Sequence, residues 1–222
     1  MTIDHPTRYW NGMTIPDAGT FLLDEAHKRV GFLGKHMMVS PVRGELTRAS
    51  ATIVVGADPL ASAVSATMDA TSLTTHHDER DVHLRSPDFL DVERFPTVDF
   101  RSTSVRWQGP QDDAMLSWAR LRNRSPERSE VPAARIQGAG AGHFVVSGLL
   151  TIRDVTLPID LTMQFGGARR DPYGRDIFGF SASGTFDREA YGLVWNVVLE
   201  TGGLLVGKKV EIEIAGEAIR QD

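Results

Sequence analysis

Along most of the chain, apolar and polar side chains alternate with a period of two instead of recurring every three or four residues. Val30, Phe32, Gly34, His36 and Met38 share one parity, with Lys35 on the other. From Arg43 to Val55 the apolar positions include Leu46, Ile53 and Val55. From Ala63 to Ala70, Val64, Ala66, Met68 and Ala70 stand against Ser65, Thr67 and Asp69. Val98, Phe100, Ser102, Ser104 and Arg106 alternate with Asp99, Arg101, Thr103, Val105 and Trp107. Further runs cover 144–152, 157–165, 177–186 and 208–219; in the last, Val210, Ile212, Ile214 and Gly216 alternate with Glu211, Glu213 and Ala215. Such alternation buries one face of an antiparallel strand and wets the other. About eight or nine strands punctuated by Gly, Asp and Pro predict an all-β antiparallel barrel or sandwich.

Two stretches break the pattern. Thr75 to Leu84 reads as a helix, with Thr75 and Asp78 at capping-box spacing. Ser86-Pro87-Asp88-Phe89-Leu90 offers a second start, with Ser at the N-cap and Pro at the first helical position. These short helices fall between strands, as a lid or crossover. The second break, Gly109 to Gly142, is polar and carries Arg120, Arg122, Arg124, Arg128 and Arg135. It reads as a long hairpin insertion with a helical turn around Met115–Leu121, and its arginines as a solvated loop more than as a site for an acidic partner. Strand-like runs flank it on both sides, so the chain divides into an N-terminal extension (1–19) and one domain (20–222) with an insertion at about 109–142.

Composition narrows the function classes. The 222 residues hold 24 Lys plus Arg against 29 Asp plus Glu, a formal net charge of −5. A dedicated nucleic-acid binder needs a basic surface to release counterions, so that class is disfavoured. Cys is absent, which excludes disulfides, thiolate metal sites and Cys nucleophiles. No apolar run reaches the roughly 18 residues of a membrane-spanning helix. The first ten residues hold no apolar segment of the kind a secretory signal needs, and a cytoplasmic location is expected. No Gly-x-Ser-x-Gly elbow in a strand-to-helix setting and no Gly-rich phosphate loop is present; Gly138-Ala139-Gly140-Ala141-Gly142 precedes a strand and reads as flexible. No enzyme activity and no cofactor are expected.

Three segments together resemble the signature of the YceI-like family: Ala70-Thr71-Ser72-Leu73-Thr74-Thr75, Arg80-Asp81-Val82-His83-Leu84-Arg85-Ser86-Pro87-Asp88-Phe89-Leu90-Asp91-Val92, and Phe95-Pro96-Thr97-Val98-Asp99-Phe100-Arg101-Ser102. Val30-Gly31-Phe32, Val42-Arg43-Gly44, Ser147-Gly148-Leu149-Leu150-Thr151-Ile152, the Asp171-Pro172-Tyr173-Gly174 turn and Phe186-Asp187-Arg188-Glu189-Ala190-Tyr191-Gly192 also fit. The resemblance spans about residues 20–220 apart from the insertion. It implies an elongated, up-and-down, lipocalin-like barrel holding a polyisoprenoid or another long-chain amphiphile. Members are often exported and often dimeric, so a homodimer is a further expectation. The chain departs from the family in having no signal segment, in its insertion, and in Asp154, where a Gly is usual.

A hollow barrel needs small or adaptable inward residues. The inward parity carries Phe32, Gly34, Met38, Ala66, Met68 and Ala70. These equally pack a filled core when read alone; the resemblance favours an open lumen. Head-group donors are expected at one mouth, from His36, Arg80, His83 and Arg85 with Ser72 and Thr74 nearby, and Phe89 and Phe100 complete the ligand-binding set. Arg80 and Asp81 equally fit a structural ion pair or cap, and His36 a hydrogen-bonded core residue. Trp195, Tyr191, Phe178, Phe180 and Phe186 read as wall or core. Two alternatives remain: a metal-dependent enzyme built on His76, His77, Asp78, Asp81 and His83, and a filled-barrel interaction module. No metal is expected.

Overall fold

Strands with one apolar face must close on something. Here they close on one another. The computed structural model describes residues 7–37, 40–109, 142–198 and 205–221. In chain order the strands are β1 (Thr7–Trp10), β2 (Met13–Pro16), β3 (Gly19–His36), β4 (Ser40–Leu46), β5 (Ala49–Val55), β6 (Ala63–Asp69) and β7 (Leu73–Thr74). The helix α1 (Asp78–Arg85) follows, then β8 (Thr97–Gln108), β9 (His143–Ile152), β10 (Val155–Arg170), β11 (Asp176–Asp187) and β12 (Lys209–Arg220). Met38, most of the insertion with its arginines, its predicted turn and its Gly/Ala run all lie outside the described residues.

Each wall strand is antiparallel to its neighbours, in the order β12, β11, β10, β9, β8, β6, β5, β3. The last pairing returns to the first, with β12 and β3 in register from Glu211↔Leu33 to Arg220↔Phe21. The result is a closed eight-stave barrel in which every wall strand has a neighbour on both sides. β4 and β5 together form one stave beside the 18-residue β3. The strand expected to run unbroken from Arg43 to Val55 parts at Thr47–Arg48. Ser72 draws the chain aside there: the Thr47 and Arg48 amides donate to the Ser72 carbonyl and hydroxyl at 3.4 and 3.0 Å.

The antiparallel order gives the barrel two ends. One carries the β5–β6 and β10–β11 turns and the β1–β2 hairpin. Met13 and Ile15 of that hairpin are buried in the main core. Trp10 stacks on Phe144 at 5.5 Å and meets Trp107 edge-on at 5.2 Å. Arg8 donates to the Ala57 and Gly56 carbonyls across the same end. From Thr7 onward, the segment expected as an extension is therefore packed onto the barrel. The other end carries β7, α1, the β9–β10 turn and residues 188–208.

At this second end the helix forms where the pattern predicts, but its cap differs. His77, not Thr75, occupies the N-cap, accepting the Arg80 amide at 3.4 Å. The Thr75 hydroxyl is taken by the Asp81 carboxylate. Acidic Asp78, Glu79 and Asp81 in the first turn and His83 and Arg85 in the last suit the helix dipole. No second helix follows. Ser86 caps α1 at its C-terminus instead, donating amide and hydroxyl to the His83 carbonyl at 3.1 and 2.8 Å. Pro87 then ends the run, since it cannot continue the ladder.

Candidate functional site

The barrel is not filled. Its side chains leave a cavity of about 650 Å³. At water's share of liquid volume, about 30 Å³ for each group of that size, this holds roughly 20 carbon-sized groups. Two inward glycines help to keep it open. A Cβ at Gly148 would stand 2.5 Å from the Phe100 ring, and one at Gly44 would collide with Phe32, its cross-strand partner. Both rings lie against a glycine of the wall instead of crossing the lumen.

The wall is apolar along most of its length. Val30, Phe32, Val64, Ala66, Met68, Val98 and Phe100 come from one side of the barrel; Leu150, Ile159, Leu161, Met163, Phe165, Phe180, Ile212 and Ile214 come from the other. Among the described residues every charged side chain on the cavity wall belongs to the helix end: Lys35, Glu79, Arg80 and Arg188, joined there by His36, His77 and His83. The cause is local. Lys35 and His36 are the last residues of β3, the imidazoles and Glu79 ride on or beside α1, and Arg188 opens the short turn after β11.

α1 is held over the mouth by a buried carboxylate. Asp81 accepts from the Thr74 hydroxyl at 2.9 Å, the Thr75 amide at 2.8 Å and the Thr75 hydroxyl. Burial pushes the Asp81 carboxyl up, but the Thr75 and Thr74 hydroxyls, the Thr75 amide and Arg85 outweigh it, and its pKa lies below the ordinary carboxylate value. Arg80 binds the Thr75 hydroxyl and carbonyl through Nε and Nη2 at 2.7 and 3.2 Å. That commits one side of the fork and leaves Nη1 for other acceptors. His83 stands edge-on to Trp195 at 4.4 Å and to Phe89 at 5.1 Å, with Nε2 3.1 Å from Asp88.

Arg188, 2% exposed, closes the same end from the opposite side. Its guanidinium donates to the carbonyls of Gly207 (2.9 Å), Trp195 (3.0 Å), Val206 (3.2 Å) and Leu193. Burial lowers its pKa against the pull of Glu189 and Asp187, yet an arginine remains charged. Four carbonyl dipoles thus solvate one buried cation and fix the segments that bring Leu193, Trp195, Leu205 and Val206 to the cavity.

Of the residues predicted from sequence, Phe32, Gly34, His36, Ala66, Met68, Arg80, His83, Phe89 and Phe100 line this cavity. His36 is exposed at the end of β3, in a bridge with Val206, and is not a core histidine. Four others lie behind the wall. Ala70 is buried in the core. Ser72 donates to the Asp69 carbonyl at 2.6 Å, Thr74 is bound to Asp81, and Arg85 donates to the Leu73 carbonyl at 3.1 Å. Their hydroxyls and guanidinium hold the β7–α1 connection, so they do not reach a ligand. The sequence reading missed Arg188 and the inward faces of β10, β11 and β12. The period-two pattern of those strands contained the signal; the buried arginine left none in a motif of ordinary polar residues. Trp195, Phe178, Phe180 and Phe186 line the cavity as wall residues, while Tyr191 is buried behind it.

The metal alternative does not assemble. His76 points to Glu45 at 3.8 Å with 80% of its side chain exposed, Asp81 is saturated by donors, and His83 turns to Asp88. Among the described residues, the group of His and carboxylates close enough to share an ion is Asp24, His27 and Glu217, on the outside of the barrel.

A closed antiparallel barrel around an apolar lumen, charged at one mouth, defines the lipocalin-like class of hollow β-barrels. Within it, the chain belongs to the YceI-like family: the model of the YceI-like domain matches residues 21–218. A UPF0312 protein of Staphylococcus epidermidis is 30% identical over 199 residues, 89% of this chain and 95% of that one. A UPF0312 protein of Staphylococcus aureus is 29% identical with the same coverage, 89% and 95%. Among solved structures, a Campylobacter jejuni YceI protein superposes with a TM-score of 0.59 at 20% identity, covering 85% of this chain and 90% of that one. A polyisoprenoid-binding domain from Saccharophagus degradans, implicated in plant cell wall breakdown, gives 0.56 at 11% identity, covering 92% and 99%. These likenesses establish the shared fold. Among the described residues no helix is long and apolar enough to cross a membrane.

Proposed function

We propose that the protein binds a long-chain isoprenoid or similar amphiphile, tail inside the barrel and polar head at the α1 mouth, as a carrier or store without chemistry of its own. The observation that carries this reading is the segregation of charge. Among the described residues, an apolar lumen of about 650 Å³ ends in Lys35, Glu79, Arg80 and Arg188, with His36 and His83, at one mouth. Burying an alkyl chain is favourable by about 0.8 kcal/mol per CH₂, so a tail of this size needs few polar contacts to stay. Arg80, whose Nε and Nη2 go to Thr75, supplies a donor for a phosphate or quinone head through Nη1. The S. degradans domain, named for polyisoprenoid binding, supports the ligand class by analogy.

Organic extraction of the native protein followed by mass spectrometry is the test, and a stoichiometric long-chain lipid is the expected result. Ala66 and Met68 line the lumen, so Ala66→Trp or Met68→Trp is expected to abolish uptake of that lipid. A native extract free of lipid, with uptake of added prenols undetectable, would overturn the reading.

A further inference from the structure

Between β3 and the β4–β5 stave the barrel wall has a seam where the ladder is interrupted between two sets of rungs. Leu22 of β3 pairs with Thr52 of β5, and the next pairing on that side is Gly31 with Glu45 of β4. Between these rungs, residues 23–30 of β3 and 46–51 of the facing stave carry no mutual register. Six extended residues span about 20 Å, so the gap is long compared with an ordinary bulge.

Each side of the gap has its own cause. On the β4–β5 side, Arg48 is drawn away from β3: its amide donates to the Ser72 hydroxyl and its Nε to Asp69 at 2.9 Å. On the β3 side, residues 24–27 bulge away from β12 as well, where the register jumps between Gly216 and Ala218. Side chains of the bulge hold it in place of ladder bonds. Asp24 accepts from the Ala26 amide at 3.2 Å and binds His27 Nδ1 at 2.6 Å, and Glu25 pairs with Lys28.

The gap opens into the cavity. Leu23 and Val30 on one side and Leu46, Ala49, Ser50 and Ala51 on the other all border the same cavity. Neighbouring residues of a strand point to opposite faces. Here, beside the interrupted ladder, Ala49, Ser50 and Ala51 all border the cavity, and Ser50 is also exposed to solvent. Among the described residues, the two ends are occupied differently. The β1–β2 hairpin covers one, with Ile15 and Pro16 against the cavity, and the charged mouth at the other suits the head.

We propose that this slot between β3 and β4–β5 is a lateral port for the tail of a polyisoprenoid too long for the cavity. The inference rests on the ligand-holding reading above. With room inside for roughly 20 carbon-sized groups, a tail of four isoprene units is enclosed completely. A tail of nine units projects through the slot, past Leu23 and Ala51, onto the outer surface. The port thus sets chain-length selectivity: the protein accepts long prenyl chains because the surplus has an exit.

The test compares geranylgeraniol, four isoprene units, with solanesol, nine, by native mass spectrometry and equilibrium binding on the full chain. The wild type is expected to bind both. Ser50→Trp places an indole on the exposed rim of the slot. It is expected to weaken solanesol at least about tenfold more than it weakens geranylgeraniol. Retained binding of the short prenol shows at once that the variant is folded, and Ser50→Leu, a smaller plug, is expected to give the same selectivity in weaker form. Undiminished solanesol binding in both variants overturns the port, as does equal loss of both prenols in Ser50→Leu. A wild type that binds geranylgeraniol but not solanesol also overturns it, and leaves the cavity reading intact. A wild type that binds neither overturns the cavity reading and the port together.

Discussion

The buried arginine at the helix end makes the sharpest stability prediction. Arg188→Met keeps an unbranched apolar stem but removes the guanidinium and with it every donor. Of the four carbonyls it serves, Val206 keeps the Asn196 side-chain amide at 2.8 Å, and the bond to Trp195 is only part-buried, so that carbonyl reaches water. The bonds to Gly207 and Leu193 are buried, and those two carbonyls are left without a donor. At about 1–3 kcal/mol for each orphaned group the loss is roughly 2–6 kcal/mol. Relief from burying a charge offsets part of it, which leaves about 2–4 kcal/mol. For a chain of this size that lowers Tm by about 4–16 °C. The damage is local as well. Gly207 donates its amide to Lys35 at 2.8 Å and Leu205 to Val197 at 3.0 Å; these amides are expected to exchange faster in the variant, while those of β8 and β9 keep their protection. Scanning calorimetry and hydrogen exchange read the two effects. A Tm within about 2 °C of wild type, with unaltered exchange at 205–208, would refute the claim that one cation organises this end.

Asp81 gives a pH dependence. Its folded pKa lies below the unfolded value of about 3.9, so its stabilising contribution is present above that value and lost as pH falls through the lowered folded one. Asp81→Asn is expected to be less stable than wild type at neutral pH, with the difference in urea midpoint shrinking below about pH 4; a difference independent of pH would contradict the assignment. Gly148→Val puts a side chain where the Phe100 ring lies 2.5 Å from the built Cβ. Overpacking is expected to cost about 1–3 kcal/mol and to drive Phe100 into the lumen, and the variant is expected to take up less geranylgeraniol; unchanged uptake would show that the ring has another way out.

The architecture was legible because it rests on a local property. A period-two pattern repeated along the chain leaves antiparallel strands as the only way to bury one face of each, and the inward parities of β3 and β6 follow from counting. Where the count broke, a bulge was the reason. The register of β8 against β9 shifts between Ser102 and Ser104, so Phe100 and Val105 both face inward although their parities differ. One unbroken alternation from Val98 to Trp107 places Val105 on the wrong face, because a single inserted residue exchanges the two faces of everything beyond it. The helix was visible as a break in the alternation, but its cap was not. Whether Thr75 caps α1 or serves Asp81 depends on where the carboxylate sits in space.

The sequence by itself determined the strand content, an antiparallel barrel or sandwich, and which side chains along β3 and β6 turn inward, since these depend on near neighbours in the chain; the barrel of the lipocalin-like kind came from the resemblance to the YceI-like family. Only the tertiary structure decided that the lumen is hollow and that its charge collects at one mouth. It also decided that Ser72, Thr74 and Arg85 serve the wall, that Arg188 ties down one end, and that a seam runs beside β3. Each of these is set by residues far apart in the chain meeting across the barrel, and no local period records who meets whom.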